Sequence, residues 1–372
     1  MHQGIGMTAD RPDGTDTRLR LSVLDQSPIA EGSTGADALR NTIDLARLAD
    51  DLGYYRYWVA EHHGSPMVAC ASPEVLIGPI AAATSRLRVG SGGVMLPHYS
   101  PLKVAENFSM LSALFPGRID LGLGRAAGTD PTTTFALQRD RRQVSPDDFP
   151  EQLAELLAYL GDSMPQDHPF ARLAALPGRP ETPEPWLLGS SAQSGIWAAE
   201  LGLPYAFADF INQVGAPIAA RYREQFVPSE LQTAPRVIAA AWVLCAETET
   251  EARQLATSAE MAFTFLLSGR LIPVPAVETA LRWREEQRPR PGSGSRRRTI
   301  VGSPAMVRSG IEALAREYGA EEVMIVTITH DHAARRRSYE LIADAFGLPA
   351  RQQVSPQQTI GAPRSGLMRH AS

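Results

Sequence analysis

A carboxylate and two imidazoles stand together at Glu61-His62-His63, at the end of a strand-like run. Imidazoles suit proton transfer near neutral pH, and they also ligate zinc. Because side chains alternate along a strand, Glu61 and His63 point to one side and His62 to the other. A single site can therefore use His62 or the Glu61–His63 pair, but not all three residues.

A zinc site would need further ligands, and His98, His330 and His332 also lie near predicted strand ends. No H-E-x-x-H or comparable spacing joins these histidines. A histidine that is simply hydrogen-bonded at the end of a strand is the plainer interpretation. We therefore predict no metal site, and a metal-dependent hydrolase stays an alternative hypothesis.

Residues 88–97 contain Gly90, Gly92 and Gly93 within a strand-like run. Glycines weaken a strand, so their presence indicates a bulge or the close approach of the backbone to a flat ligand. Packing alone explains one such glycine more easily than three.

The next glycine-rich strand ends at Gly122, Gly124 and Arg125. With Gly128 these glycines resemble a dinucleotide fingerprint, but residues 129–131 read Thr-Asp-Pro where a long apolar helix should begin. A Rossmann site is therefore not predicted. The segment instead places the cation Arg125 just beyond the end of a strand.

Residues 186–197 combine a strand, a turn at Gly189, and the hydroxyls of Ser190, Ser191 and Ser194 at the start of a helix. Backbone N–H groups and the helix dipole at such a start favour an anion, and serine hydroxyls add donors. Arg125, one strand away, supplies a cation for the same group. Helix capping explains any one of these serines, but three exceed what a cap requires.

The elements that must position these residues alternate between short strands and amphipathic helices, which is typical of a parallel sheet. Eight strands followed by helices predict a (β/α)8 TIM barrel, and an open doubly wound sheet is the alternative. Ser72, Ser100 and Ser303 precede prolines and are predicted to cap helices through their hydroxyls. Helices are predicted to end at Gly53, Gly202 and Gly319. The predicted strands span 19–24, 55–60, 87–94, 118–123, 185–188, 205–208, 236–245 and 322–327.

One domain, residues 19–348, is predicted between a disordered leader at 1–18 and a flexible tail at 349–372. Insertions are expected after the fourth strand, at about 139–183, and after the seventh, at about 267–300. The first carries a helix at 149–160. Pro, Gly, Ser and Arg fill 288–298, which predicts a mobile loop and makes the second insertion a candidate lid.

Composition excludes several classes of protein. The 372 residues are 44% hydrophobic and carry a net charge of −5, which suits a soluble globular protein rather than one that binds nucleic acid. The two cysteines, Cys70 and Cys245, are too far apart in sequence for a C-x-x-C site and indicate a reduced, cytoplasmic setting. No signal peptide or membrane span is predicted.

Taken together and in order, these segments resemble the bacterial luciferase-like flavin-dependent monooxygenases, over nearly all of residues 21–346. The resemblance rests on YWVAEHH at 57–63, VGSGGVMLP at 89–97, GRIDLGLGR at 117–125 and GSP at 302–304. It implies a flavin-binding barrel, usually a homodimer, that uses O2 and reduced FMN from a separate flavin reductase to oxygenate a small organic substrate.

The resemblance also implies roles for individual residues. His62 matches the active-site histidine, which would handle a proton or stabilise the flavin C4a-peroxide. Gly92 and Gly93 match a pair that forms a cis peptide bulge against the isoalloxazine ring. Four further residues match phosphate-binding positions: Arg125, Ser190, Ser191 and Ser194. Gly189 provides the turn before these serines.

One departure bears on the reaction. Light-emitting relatives carry a cysteine where this chain has Gly124, so luminescence is not expected. Another branch of the family uses the deazaflavin F420, which transfers hydride and does not activate O2. An F420-dependent oxidoreductase and a non-catalytic flavin-binding protein are therefore the alternatives to an FMN monooxygenase.

Overall fold

The computed structural model describes residues 18–125, 130–138, 148–173, 176–287 and 298–350. Nearly all of the predicted leader and tail lie outside these residues, and so does most of the predicted mobile loop at 288–298. Of the described helices, none has both the length and the apolar character needed to cross a membrane.

Eight strands form a closed barrel in the order β6-β5-β4-β3-β2-β1-β9-β7, and a β6–β7 pairing completes the ring. Every neighbouring pair is parallel. The prediction of a (β/α)8 barrel is confirmed, and the closing pair rules out an open sheet. The strands are β1 Arg20–Asp25, β2 Arg56–Val59, β3 Arg88–Met95, β4 Ile119–Gly124, β5 Glu184–Gly189, β6 Tyr205–Ala208, β7 Val237–Cys245, β8 Ile300–Gly302 and β9 Glu322–Val326.

The longer helices that surround the barrel carry an apolar face that packs on the strands. In the first helix this face includes Ala38, Leu45, Ala46 and Ala49, all buried. The helices are α1 Gly35–Leu52, α2 Pro73–Ala83, α3 Pro101–Leu114, α4 Pro131–Leu137, α5 Phe149–Gly161, α6 Ala192–Glu200, α7 Ala216–Gln225, α8 Glu249–Leu255, α9 Thr257–Leu267, α10 Val277–Gln287, α11 Pro304–Tyr318 and α12 His332–Phe346.

Three serines lie at helix starts as predicted, but the capping hydrogen bonds predicted for their hydroxyls are absent. Ser72, Ser100 and Ser303 are the N-cap residues before a proline, yet none of their side chains makes a capping hydrogen bond. Proline has a suitable φ and no N–H to satisfy, so it starts a helix without help from the hydroxyl. Gly53 and Gly319 end α1 and α11 with φ of 87° and 55°, as predicted. The C-cap of α6 is Leu201, and the predicted Gly202 follows it with φ of 61°.

The second insertion is more regular than the sequence indicates. Helix α10 occupies 277–287, and the three-residue strand β8 pairs with the end of β7. We predicted neither element. Ala280 is the one buried residue of α10, so this helix lacks the apolar stripe that reveals a helix in sequence.

A charged cluster fills the amino-terminal end of the barrel. The fully buried Arg56 guanidinium lies 2.7 Å from Asp120, 3.0 Å from Glu184 and 3.1 Å from Glu322. Arg88 also pairs with Asp120. The carboxylates come from β4, β5 and β9, so one cation on β2 connects four strands.

We predict that Arg56→Gln destabilises the fold by about 3–5 kcal/mol, because it leaves buried carboxylates without their shared cation. Urea unfolding of the purified variant measures this loss. Arg253→Gln is the matched control, since Arg253 pairs with Glu249 on the surface. Equal stability of Arg56→Gln and Arg253→Gln would contradict the assigned importance of the cluster.

Candidate flavin site

The alternation predicted at the end of β2 holds for Trp58, Val59 and Ala60. Trp58 and Ala60 pack inside the barrel, whereas Val59 packs between the barrel and the helices. The strand ends at Val59, and in the segment that follows, His63 Nε2 donates to Glu61 Oε1 at 2.7 Å. This contact pairs Glu61 with His63, and His62 takes no part in it.

His62 carries a buried polar atom that the protein leaves unused. Its backbone N–H donates to the Cys70 carbonyl oxygen at 2.9 Å, which fixes the loop, while Nδ1 is buried without a hydrogen-bond partner among the described residues. Burial lowers the pKa of His62 below its ordinary value of 6.5. A neutral imidazole with a free ring nitrogen can accept or donate a proton beside a bound ligand.

Glu61 joins the ends of β2 and β3. Its carboxylate is fully buried and accepts from Met95 N at 2.8 Å and Tyr99 Oη at 2.9 Å, as well as from His63. Burial and the neighbouring Glu61 raise the pKa of Tyr99, which keeps the phenol protonated as a donor. Glu61 therefore holds the loop of His62 against the strand that carries the paired glycines.

The Gly92–Gly93 peptide bond is cis, and the register between β3 and β4 shifts at this point. The resemblance implied such a bulge. A Cβ at Gly92 would lie 2.5 Å from Leu24 Cδ1, and one at Gly93 would lie 2.8 Å from the Gly122 carbonyl oxygen. At Gly90 it would lie 2.5 Å from the Asp120 carbonyl oxygen. Close packing thus excludes a side chain at all three glycines, which we expected it to explain less easily than one.

A hydroxyl-rich turn connects β5 to α6. A Cβ at Gly189 would lie 2.0 Å from Ser194 Oγ, so the turn requires glycine there. The Ser194 hydroxyl donates to the Ser191 carbonyl oxygen at 2.8 Å and bonds to Tyr205 Oη at 2.9 Å. Ser194 is therefore occupied in shaping the turn. Ser191 is exposed, and its side chain makes no capping bond.

Two further contacts place neighbouring residues at this turn. Asn212 Nδ2 donates to the Ser190 carbonyl oxygen at 2.7 Å, which fixes the turn from the loop after β6. The exposed Arg125 guanidinium lies over the Trp197 ring of α6, with 5.4 Å between Cζ and the ring centroid. The predicted cation and the start of α6 are thus brought together. We did not predict Asn212 and Tyr205, because their only signal in sequence is a position at or after a strand.

The other histidines of the described ranges do not gather into a metal site. The rings of His98 and His63 meet edge to face at 5.7 Å, whereas His330 contacts the Glu31 carbonyl oxygen and His332 lies 2.8 Å from Asp44. Within the described ranges, no group of three or more His, Cys, Asp or Glu is placed to hold a metal ion. The zinc hypothesis therefore has no support in this part of the chain.

Comparisons with known proteins agree with this fold. Residues 19–322 match the family model described as luciferase-like monooxygenase. A luciferase-like monooxygenase of Escherichia coli is 40% identical, over 89% of this chain and 98% of its own. The N-acetyl-S-alkylcysteine monooxygenase of Bacillus subtilis is 39% identical, over 88% and 98%. The crystal structure of apo-MsnO8 is 42% identical, with a TM-score of 0.81 over 90% and 99% of the two chains.

We predict that acidification destabilises the wild-type protein more than a His62→Gln variant. The folded state holds the pKa of His62 below 6.5, so the unfolded chain binds the proton more readily as pH falls. Urea unfolding from about pH 8 down to about pH 5 gives both slopes. Identical slopes, or a steeper one for the variant, would show that His62 is not held neutral.

Proposed function

The chain belongs to the luciferase-like monooxygenase family, and on that premise we propose that it is a two-component flavin-dependent monooxygenase. It takes reduced FMN from a separate flavin reductase and uses O2 to oxygenate a small organic substrate. The observation that carries the proposal is the combination of a buried, unpartnered His62 nitrogen after β2 with a cationic, hydroxyl-rich turn after β4 and β5, at the same end of the barrel.

The turn after β5 binds the phosphate of FMN. Ser190, Ser191 and the first N–H groups of α6 donate to the phosphate oxygens, and the helix dipole favours the negative charge. Arg125 adds a cation that can make two hydrogen bonds to one phosphate. Ser194 and Gly189 act by positioning the turn, since the Ser194 hydroxyl is already bonded within it.

The strand ends inside the barrel accommodate the flavin ring. Gly92 and Gly93 present a surface without side chains, and Gly122 and Gly124 add no side-chain bulk on the neighbouring strand. His62 lies on the same interior side, where Nδ1 is free to hold or move a proton. When bound, reduced FMN supplies the electrons that activate O2, and the protein supplies burial and orientation.

Two features separate this proposal from its alternatives. Gly124 stands where light-emitting relatives have cysteine, so we propose a reaction without luminescence. A non-catalytic flavin-binding protein would not need an unpartnered imidazole inside the barrel. An F420-dependent oxidoreductase would use the same barrel. A comparison of FMN binding with F420 binding is needed to distinguish it from an FMN monooxygenase.

We further propose that the protein is a homodimer. Large apolar side chains are exposed on α2 and α3, where Val75 is 71%, Met110 53% and Leu114 69% exposed. Met110 and Leu114 are four residues apart and share one face of α3. A second copy of the chain would remove this apolar surface from water.

We predict that Arg125→Gln weakens binding of reduced FMN by about tenfold or more, because a charge-assisted bond to phosphate is lost. Binding of reduced riboflavin, which lacks the phosphate, should not change. Anaerobic titration monitored by flavin absorbance gives both affinities.

Arg308→Gln is the matched control for Arg125→Gln. Arg308 also lies over an aromatic ring, that of Phe346 at 5.5 Å, but on α11 outside the barrel. This control should bind both flavins like the wild type. An Arg125→Gln variant that loses riboflavin and FMN equally would place Arg125 at the ring and not at the phosphate.

We predict that Leu114→Asp converts the homodimer to a monomer, because it places a charge in the apolar face of α3. Sedimentation equilibrium measures the mass of each form, and Leu231→Asp, an exposed leucine after α7, should leave the dimer intact. A monomeric wild type, or a dimeric Leu114→Asp variant, would exclude this face as the interface.

A further inference from the structure

Arg125 differs from the arginines at the amino-terminal end of the barrel in what holds it. Arg56, Arg88 and Arg236 all pair with carboxylates. Arg125 is exposed, and within the described ranges it contacts the face of the Trp197 ring and no carboxylate. Its N–H groups are therefore available to a ligand.

Trp197 stands on the helix that begins at the hydroxyl-rich turn. Helix α6 starts at Ala192, and Trp197 follows Ser194 by three residues, so the two side chains are neighbours on the helix surface. Trp197 is half-buried and packs against the large apolar cluster between the strands and the helices. The ring in contact with Arg125 thus belongs to the packed layer of the fold.

Phe149 supports the Trp197 ring from the first insertion. The centroids of the two rings lie 5.4 Å apart, and their planes are tilted by 34°. Phe149 is the first residue of α5 and is 1% exposed. The helix is anchored by four further buried residues, Leu153, Leu156, Tyr159 and Leu160. A fixed element of the insertion therefore holds the ring that Arg125 contacts.

An aromatic ring holds an arginine in a different way from a carboxylate. A carboxylate accepts hydrogen bonds from the in-plane N–H groups and offsets the positive charge, whereas a ring face attracts the cation and leaves those N–H groups unbound. A phosphate requires both the charge and the N–H groups. A contact that already restricts the long side chain also lowers the entropy lost when the ligand binds.

We propose that Trp197 is a positioning residue for the phosphate of the flavin. Its ring, supported by Phe149, holds Arg125 near α6 with the guanidinium N–H groups free. The inference rests on the proposed function, because the phosphate is that of bound FMN. It also gives the first insertion, through Phe149, a part in recognising the phosphorylated cofactor.

The affinity for reduced FMN divided by the affinity for reduced riboflavin isolates the phosphate, since the two ligands share the flavin ring. Trp197→Leu should lower this ratio about threefold to fivefold, as expected for the loss of one cation–π contact. Trp197→Phe keeps an aromatic face and should retain most of the ratio. Anaerobic titration monitored by flavin absorbance gives both affinities.

Trp283→Leu is the matched control for Trp197→Leu. Trp283 also contacts a phenylalanine ring, that of Phe265 at 6.1 Å between centroids, but it lies on α10 in the second insertion. This control should keep the wild-type ratio. Phe149→Leu tests the support of the ring and should lower the ratio in the same direction as Trp197→Leu. An unchanged ratio in Phe149→Leu would remove the first insertion from the proposal.

A merely structural role for Trp197 predicts a different result. Loss of packing would weaken the binding of both flavins alike and leave the ratio unchanged. The double variant Arg125→Gln/Trp197→Leu separates the two roles further. If Trp197 acts through Arg125, the double variant has the same ratio as Arg125→Gln alone.

The contact between the two side chains can be measured without flavin. The ring current of Trp197 shifts the Arg125 Nε–H resonance upfield in a 15N-correlated NMR spectrum, where the resonance is assigned by its loss in Arg125→Gln. We expect it to move downfield in Trp197→Leu and to stay near its wild-type position in Trp283→Leu. An unmoved resonance in Trp197→Leu would contradict the contact.

Two affinity results would overturn the inference: an unchanged ratio in Trp197→Leu, or a double variant whose ratio falls well below that of Arg125→Gln. If the wild type binds FMN and either result is found, the inference fails and the proposed function stands. If the wild type does not bind FMN, the proposed function fails and the inference fails with it.

Discussion

Arg56 is a cation with no exposed surface, held inside the barrel by carboxylates from three other strands. Removing such a group from water is costly, and the cost is offset only if the surrounding acceptors are accurately placed. The cluster therefore fixes β2, β4, β5 and β9 relative to one another. Trp58 takes part in the same arrangement, because its indole nitrogen donates to Asp120 at 2.9 Å.

The two ends of the barrel are lined by different residue types, and this difference determines where a ligand can bind. Charged side chains and two tryptophans fill the amino-terminal half, whereas glycines lie toward the carboxyl ends of β3, β4 and β5. Glu61 also connects two strands through one buried carboxylate, because it accepts hydrogen bonds from His63 after β2 and from Met95 and Tyr99 at and after the end of β3. The backbone of His62 is held in addition by its hydrogen bond to Cys70. A site of this kind is positioned by the barrel and completed by its loops, as is general for this fold.

Sequence patterns predicted the elements that bury apolar faces, and they failed where burial is slight. The separation of His62 from His63 followed from strand alternation alone. Helix α10 and strand β8 were missed because the helix buries one residue and the strand spans three. The serines before Pro73, Pro101 and Pro304 were placed correctly, but hydroxyl orientation depends on tertiary contacts that no local pattern encodes.

The central claim is that the strand ends bind reduced FMN and direct it toward O2. The most direct measurement is an anaerobic titration of the purified protein with reduced FMN and, in parallel, with reduced F420. Each complex is then mixed with oxygenated buffer while flavin absorbance is recorded. The account predicts tighter binding of reduced FMN, and a reoxidation time course that differs from that of FMN free in solution. Preference for F420, or reoxidation identical to that of free FMN, would contradict it.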